Sequence, residues 1–405
     1  MSRLSSIAAA AAAALALAAC EGSTPPTTPL EAASFATGDD LSFEVVEQRL
    51  GGSPNIPTAV NGRGWIAGYA NEPGNAARSA VVWRDGTIER LGSLGGPNSS
   101  IVWTGLSDGG MIVGIAETAE LDPNGEEWSC TPFFATGTAT GHVCRGFWWD
   151  GGAMQELPTF GGTHGYAADV NAQGQIVGWA ENLIVDPTCS PAGTQKLQFR
   201  AALWEPRRMS MRELAPWPGD SASAATAINE RGQAVGISGD CDVAVGSFSA
   251  KRGVLWESDG GVVEIGGLGG DAWHTPTDIN DRGEVVGFSN PAGIAGNDFQ
   301  PKAFIWTAAA GIDSLPTLSG DVYAQAFAIN TRGQVVGRSC GAAGCRAVLW
   351  QDGAVTDLNT LRPDGFAHRL TAARAISEGG VITGNLVNAE TGVVQPYVAR
   401  PAHNQ

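Results

Sequence analysis

The sequence predicts an all-β protein, a seven-bladed propeller of four-stranded antiparallel blades closed by an N-terminal strand that completes the last blade. Three observations carry that expectation. A line typified by "AINTRGQVVGRS" recurs seven times, a strand ending in Trp follows it in six copies, and the strand missing after the last copy stands spare before the first.

Composition excludes the main alternatives. The chain of 405 residues holds 56 Gly, about twice the usual ~7% share, and 16% charged residues against an average near ~25%. Beyond the first twenty residues no window repeats apolar residues at i, i+3, i+4 and i+7. Short runs such as "AVLW", "QIVG" and "FEVV" recur instead between Gly, Asn and Asp clusters, the pattern of strands and turns.

Residues 1–19 read as a signal peptide and stand outside the fold. "MSRLSSIAAAAAAALALAAC" has one basic residue, Arg3, and an apolar stretch from Ile7 to Leu17 too short to span a bilayer comfortably. Its end, "LAAC", resembles the lipobox of bacterial lipoproteins, which makes Cys20 the lipidated first residue of the mature chain. A plain secretory signal is the alternative, and both export the protein. Residues 20–40, rich in Pro, Ser and Thr, are a lipid-anchored tether, and 41–405 a single propeller domain. The expected location is the cell envelope, at the outer membrane, or the extracellular space.

The remaining cysteines fit an oxidising compartment. Cys130, Cys144, Cys189, Cys241, Cys340 and Cys345 are even in number, which suggests disulfides and leaves their connectivity open. Cys130 with Cys144 and Cys340 with Cys345 each fall within one inter-strand loop, leaving Cys189 for Cys241. Zinc is the competing reading, but there is no CxxC and no nearby paired His.

The repeated line starts at Ala59, Gly105, Asp169, Ala227, Asp278, Ala328 and Ala375, and its first Gly falls at 64, 110, 174, 232, 283, 333 and 380. The Trp strands end at Trp83, Trp149, Trp204, Trp256, Trp306 and Trp350, with "PYVA" in the last copy; a fourth strand and a Gly-rich turn follow. Four short strands per unit at this spacing is what a propeller blade requires. Such a sheet has two apolar faces, and stacking blades in a ring covers both. The Asn of the line caps a hairpin between a blade's first two strands, and the Gly takes the positive φ of that turn. A second Gly, at 68, 114, 178, 236, 287, 337 and 384, is expected to make room for the next blade's Trp. The spare strand, "LSFEVVEQRLGG" from Leu41, closes the ring.

At these residues the chain is similar to the bacterial extracellular repeat proteins of the HAF family, over about 41–400. The resemblance implies fold and export and no particular activity. Where the family name expects His, this chain has Arg145, Arg200, Arg252, Lys302 and Arg346.

The loops between second and third strands, together with the turns entering each blade, are expected on one rim, where binding is sought first. The five basic residues before the Trp strands form a candidate arc for an anionic ligand; the alternative pairs each with a carboxylate such as Asp271 or Asp321. His164, His274 and His368 are placed by the entering turns near the channel mouth, with Trp273 available to stack on a sugar or to fill the wall. Two motifs carry no chemistry. "GLGGDA" at 267–272 lacks the helix of a dinucleotide fold, and "DVNAQG" and "DINDRG" lack the closing Glu of calcium loops. No GxSxG, HExxH, P-loop or basic tract is present, and a net charge of -17 disfavours nucleic acid. The expected protein is a monomer without cofactor or metal, a non-enzymatic propeller presenting its rim to a protein, glycan or envelope partner. The alternatives are an enzyme acting on extracellular polysaccharide at the channel mouth and a structural part of an outer-membrane assembly.

Overall fold

The computed structural model describes residues 41–46, 49–126, 130–134, 140–191, 193–241, 250–294 and 298–401; the signal segment, Cys20 and the tether lie outside them. The chain forms seven antiparallel four-stranded sheets in a ring. Blade 1 sets the pattern with strands Asn55–Val60, Ile66–Asn71, Arg78–Arg84 and Thr87–Arg90, each paired with the one before. In blade 7 the fourth strand is Leu41–Val45, antiparallel to Val394–Pro401 with Phe43 opposite Ala399 and Val45 opposite Tyr397. The two ends of the described chain are thereby locked into one sheet, leaving no open radial edge.

The repeated line holds blades together as well as turning the chain. In blade 6, Asn330 Oδ1 accepts from the N–H groups of Arg332 and Gln334, both at 3.1 Å, and Gly333 turns the hairpin with φ +76°. The same Asn reaches outward, and its Nδ2 donates to the Ser377 carbonyl of blade 7 at 3.3 Å. Asn61, Asn171, Asn229 and Asn280 donate in the same way to Ser107, Asn229, Asn280 and Asn330. One side chain therefore fixes its own turn and the position of the next blade. Replacing Asn330 by alanine deletes these three hydrogen bonds and a fourth, from its Nδ2 to Gln334 Oε1, at a buried site and is expected to cost about 2 kcal/mol of stability. A urea midpoint equal to wild type would show that the clasp contributes nothing.

The Trp strands cement the same interfaces from outside the channel. Trp204, Trp256 and Trp350 are fully buried, and their indole N–H groups donate to the carbonyls of Pro158, Ala215 and Pro316, each in the segment entering from the preceding blade. Trp350 packs with Val286 and Ala303 of blade 5 as well as with its own sheet. A ring of this size removes on the order of 200 Å² from water, roughly 5 kcal/mol of gross stabilisation per blade interface.

The second glycine has a different reason from the one expected. A Cβ on Gly337 would lie 2.0 Å from the Gln325 carbonyl oxygen and 2.8 Å from Trp350, both in the same blade. The blade's first strand carries a bulge between Ala326 and Ala328 that turns this carbonyl toward the second strand. Glycine admits the bulge; the ring that comes near belongs to its own third strand.

Candidate functional site

The long loops lie together and are braced across blades. Cys130 pairs with Cys144 within blade 2, Cys189 with Cys241 between the loops of blades 3 and 4, and Cys340 with Cys345 within blade 6. The last pair sits directly across two strands, Val335–Gly341 and Gly344–Gln351, and not in a loop, because those strands run almost to the turn. Glu126 from blade 2 accepts the backbone N–H groups of Lys196 (2.9 Å) and Leu197 (2.5 Å) in blade 3. Arg78 of blade 1 donates to the Phe133 carbonyl of blade 2 at 2.9 Å.

The expected cationic arc is neutralised. Arg145 meets Glu156 at 3.1 Å and Arg200 meets Glu213 at 3.6 Å. Arg252 meets Asp220 at 2.7 Å and Glu264 at 3.4 Å, while Arg346 meets Asp321 at 3.0 Å and Asp357 at 3.2 Å. Lys302 donates to the Val322 carbonyl. A third-strand base thus faces a fourth-strand acid in four blades, a cross-strand pair. Asp271 is exposed and forms no ion pair among the described residues.

The histidines line neither of the channel cavities described below. His164 is fully buried: its Nδ1 accepts the Cys144 N–H, and its Nε2 faces Asp122 at 3.3 Å. His274 is held by Ser289 Oγ and the Gly270 carbonyl, and burial, the main influence, keeps its pKa below the ordinary histidine value. His368 accepts the Ala389 N–H. The imidazoles thus partner backbone groups: His164 a buried N–H of the third strand of blade 2, His274 a carbonyl of its own entering turn, and His368 an exposed N–H of a blade 7 loop. Trp273 packs edge-on against Phe299 with centroids 4.6 Å apart, in a cluster that includes Phe288.

Asp122, Glu126 and His164 bring ligand-type atoms within 4.8 Å of one another, but the donor set does not suit a metal. With Nδ1 accepting a backbone N–H, the ring proton sits on Nε2, the very atom aimed at Asp122. Two other groupings contain Cys130 with Cys144 and Cys189 with Cys241, whose sulfurs are tied in disulfides and offer no thiolate.

The central channel holds what the rim lacks. First strands of six blades, and in blade 2 the segment that follows the first strand, surround a cavity of about 500 Å³ at the hairpin end, where Asp108, Asp169, Glu230, Asp278, Asp281 and Glu378 face inward. These acids stitch neighbouring blades: the N–H of Gly62 donates to Asp108, Ala172 to Glu230, Glu230 to Asp281 and Thr331 to Glu378. Asp169 and Asp278 do the same one turn deeper, accepting the N–H groups of Ile228 (3.0 Å) and Ile329 (2.8 Å). Burial pushes both carboxyls up to about 7, Asp278 being raised further by the charge of Asp169.

Past Thr104, which borders both spaces, lies a second cavity of about 200 Å³ of opposite character. Its charged residues are Arg338, from the second strand of blade 6, and Arg374, from the first strand of blade 7 (Arg369–Ile376). Both guanidinium carbons lie over the Phe327 ring, at 5.8 and 4.7 Å from its centroid. Neither Arg has a carboxylate within ion-pair distance among the described residues. Burial, and after it the neighbouring Arg338, lowers the Arg374 pKa to about 10. Sequence reasoning passed over both residues, although the repeat alignment held the signal. After the second Gly the other copies carry Tyr69, Ile115, Trp179, Ile237, Phe288 and Asn385 where blade 6 has Arg338.

No family model and no curated protein sequence matches the chain. Among solved structures, the acylaminoacyl peptidase of Pyrococcus horikoshii superposes with TM-score 0.47 at 12% identity, over 85% of this chain and 52% of that one. TolB from Acinetobacter baumannii gives TM-score 0.38 at 13% identity over 82% and 65% of the two chains. Virginiamycin B lyase from Staphylococcus aureus gives 0.35 at 10% identity over 90% and 89%. The chain thus spans about half the length of the peptidase, and at these scores none of the three bears on what it does.

Proposed function

We propose that this chain is an exported, lipid-anchored, non-enzymatic propeller of the HAF type whose loop rim recognises a partner protein. One observation carries the reading. At the projecting ends of the second strands of blades 2 and 3 (Ile112–Leu121 and Ile176–Val185), Leu121, Leu183, Ile184 and Val185 are 57–75% exposed. Large aliphatic side chains held out on disulfide-braced loops of adjacent blades are the kind of surface that a partner covers, at roughly 1.5–3 kcal/mol for each side chain fully buried. Three disulfides support export, since such bonds persist in oxidising compartments.

The test is capture of a partner from envelope extract by the full chain and by a variant carrying Leu183→Ser, Ile184→Ser and Val185→Thr. The variant is expected to lose capture at least roughly tenfold with an unchanged melting temperature. Equal capture removes the rim from the reading, and binding on a glycan array that survives these changes assigns the rim to a glycan. A second reading, an enzyme acting on polysaccharide, is favoured by Asp169 and Asp278, two carboxyls raised to about 7 beside the larger cavity. Turnover of any polysaccharide that Asp278→Asn abolishes would establish it.

A further inference from the structure

Every basic residue expected on the rim turned out to have an anionic or carbonyl partner, and that regularity makes the exception informative. Arg338 and Arg374 share one small cavity, one aromatic ring and no carboxylate among the described residues. Each is anchored through Nε alone and by a neutral amide, Arg338 to Gln325 Oε1 at 2.7 Å and Arg374 to Asn385 Oδ1 at 3.0 Å. Anchoring at Nε fixes the planes of both forks and leaves their terminal nitrogens without a hydrogen bond among the described residues. Two like charges on the wall of one small cavity raise the energy of the empty site, and a structural role would be met better by one Arg or by none. An anion between the forks removes the repulsion and supplies acceptors for four unused NH₂ edges.

The rest of the wall limits which anion. Trp103 and Phe327 give the cavity aromatic sides, while Thr58 and Gln325 add polar atoms within the same 200 Å³. Planar forks suit a planar carboxylate, and aromatic flanks suit the flat, C–H-bearing face of a sugar ring with hydroxyls at its edge. A compact tetrahedral oxyanion would leave the aromatic side of the cavity unfilled. The hairpin end of the channel is lined with carboxylates, so an anion is steered to enter from the loop end. We propose that this cavity binds a carboxylated monosaccharide, a uronic acid or the uronate end of an acidic glycan, with Arg338 and Arg374 holding the carboxylate and Trp103 and Phe327 flanking the ring. This goes beyond the rim reading and does not depend on it.

The experiment titrates the full chain, disulfides oxidised, with glucuronate and galacturonate by calorimetry, and with glucose, benzoate and inorganic phosphate as comparisons. A uronate is expected to bind at least roughly tenfold more tightly than glucose, and Arg374→Met and Arg338→Met are each expected to weaken it by roughly 30-fold or more. Arg374→Met should melt no lower than wild type, because it removes one of two repelling charges; a role confined to structure predicts the opposite. The proposal is overturned by glucose binding as well as a uronate, by phosphate or benzoate binding more tightly, by full affinity in both Met variants, or by no uronate binding at all. The rim variant at Leu183, Ile184 and Val185 should bind the uronate normally, which separates failure of this site from failure of the rim.

Discussion

Replacing Gly337 by alanine is expected to destabilise the ring by about 3 kcal/mol or more, the scale reached when a methyl group is forced into filled space. The added Cβ would lie 2.0 Å from a backbone oxygen and 2.8 Å from an indole carbon, and neither is the free end of a flexible side chain. Relief requires moving the first strand of blade 6, and that strand carries the Asn330 clasp and the aromatic ring beneath the Arg pair. Gly353→Ala in the same blade is the control. Its φ of +77° penalises a side chain, but no atom lies within 4 Å, so about 1–2 kcal/mol is expected there. Urea unfolding of the two variants distinguishes the causes. Similar losses would mean that backbone conformation alone explains these glycines and that the bulge does not matter.

How much of this was legible in the sequence depends on what each residue does. Positions that act locally and alike from blade to blade announced themselves: the hairpin Gly in seven copies, the hairpin Asn in five, the terminal Trp in six, and the spare strand that pairs with Val394–Pro401. Repetition amplifies such signals. The second Gly was visible for the same reason, but its cause was not, because a carbonyl turned inward by a bulge leaves no trace in residue type. The histidines misled for a related reason, since a turn that enters a blade can bury its imidazole beneath the loops instead of aiming it at the channel. Arg338 and Arg374 were hidden by their singularity. Each replaces an apolar or small residue in one copy only, so a reading that sought what the copies share discarded them. A charge in a column that is otherwise uncharged is the better guide to where a repeat protein departs from pure architecture. Asp169 and Asp278 follow the same logic. Their stretches lack the closing Glu of a calcium loop, yet the sister copies have Ala or Gly at this position, and that difference between copies is what marks them as the two deep carboxyls of the channel.

Those two carboxyls lead to the other large expected effect, a stability that rises as the solution is acidified from pH 8 to pH 5. In the unfolded chain an Asp titrates near ~3.9, whereas in the ring both carboxyls titrate at about 7. Between these values the native state holds protons that the unfolded state has released, so raising the pH favours unfolding throughout that window. The penalty is absent below about pH 4 and complete above about pH 7. From pH 5 to pH 8 it amounts to on the order of 2–3 kcal/mol for each carboxyl. Carboxylates with lowered values, such as Glu72 in its hydrogen bond with Arg90, act the other way, but only as the pH falls through their own low range. Within the interval from pH 5 to pH 8, His274, held by burial below the ordinary histidine value, opposes the deep pair as the pH falls, while Glu181, raised by burial, acts with it; the two deep carboxyls together outweigh the single imidazole. Changing both to Asn keeps an oxygen to accept the N–H groups of Ile228 and Ile329 while removing the charge. The double variant should therefore be more stable than wild type at pH 8, close to it at pH 5, and without the wild-type loss of stability as the pH rises between them. Melting curves at half-unit intervals decide the matter. A wild type that loses stability on acidification to pH 5, or a double variant with the wild-type slope, would mean that the inter-blade carboxyls remain ionised and that some other group sets the pH response of the ring.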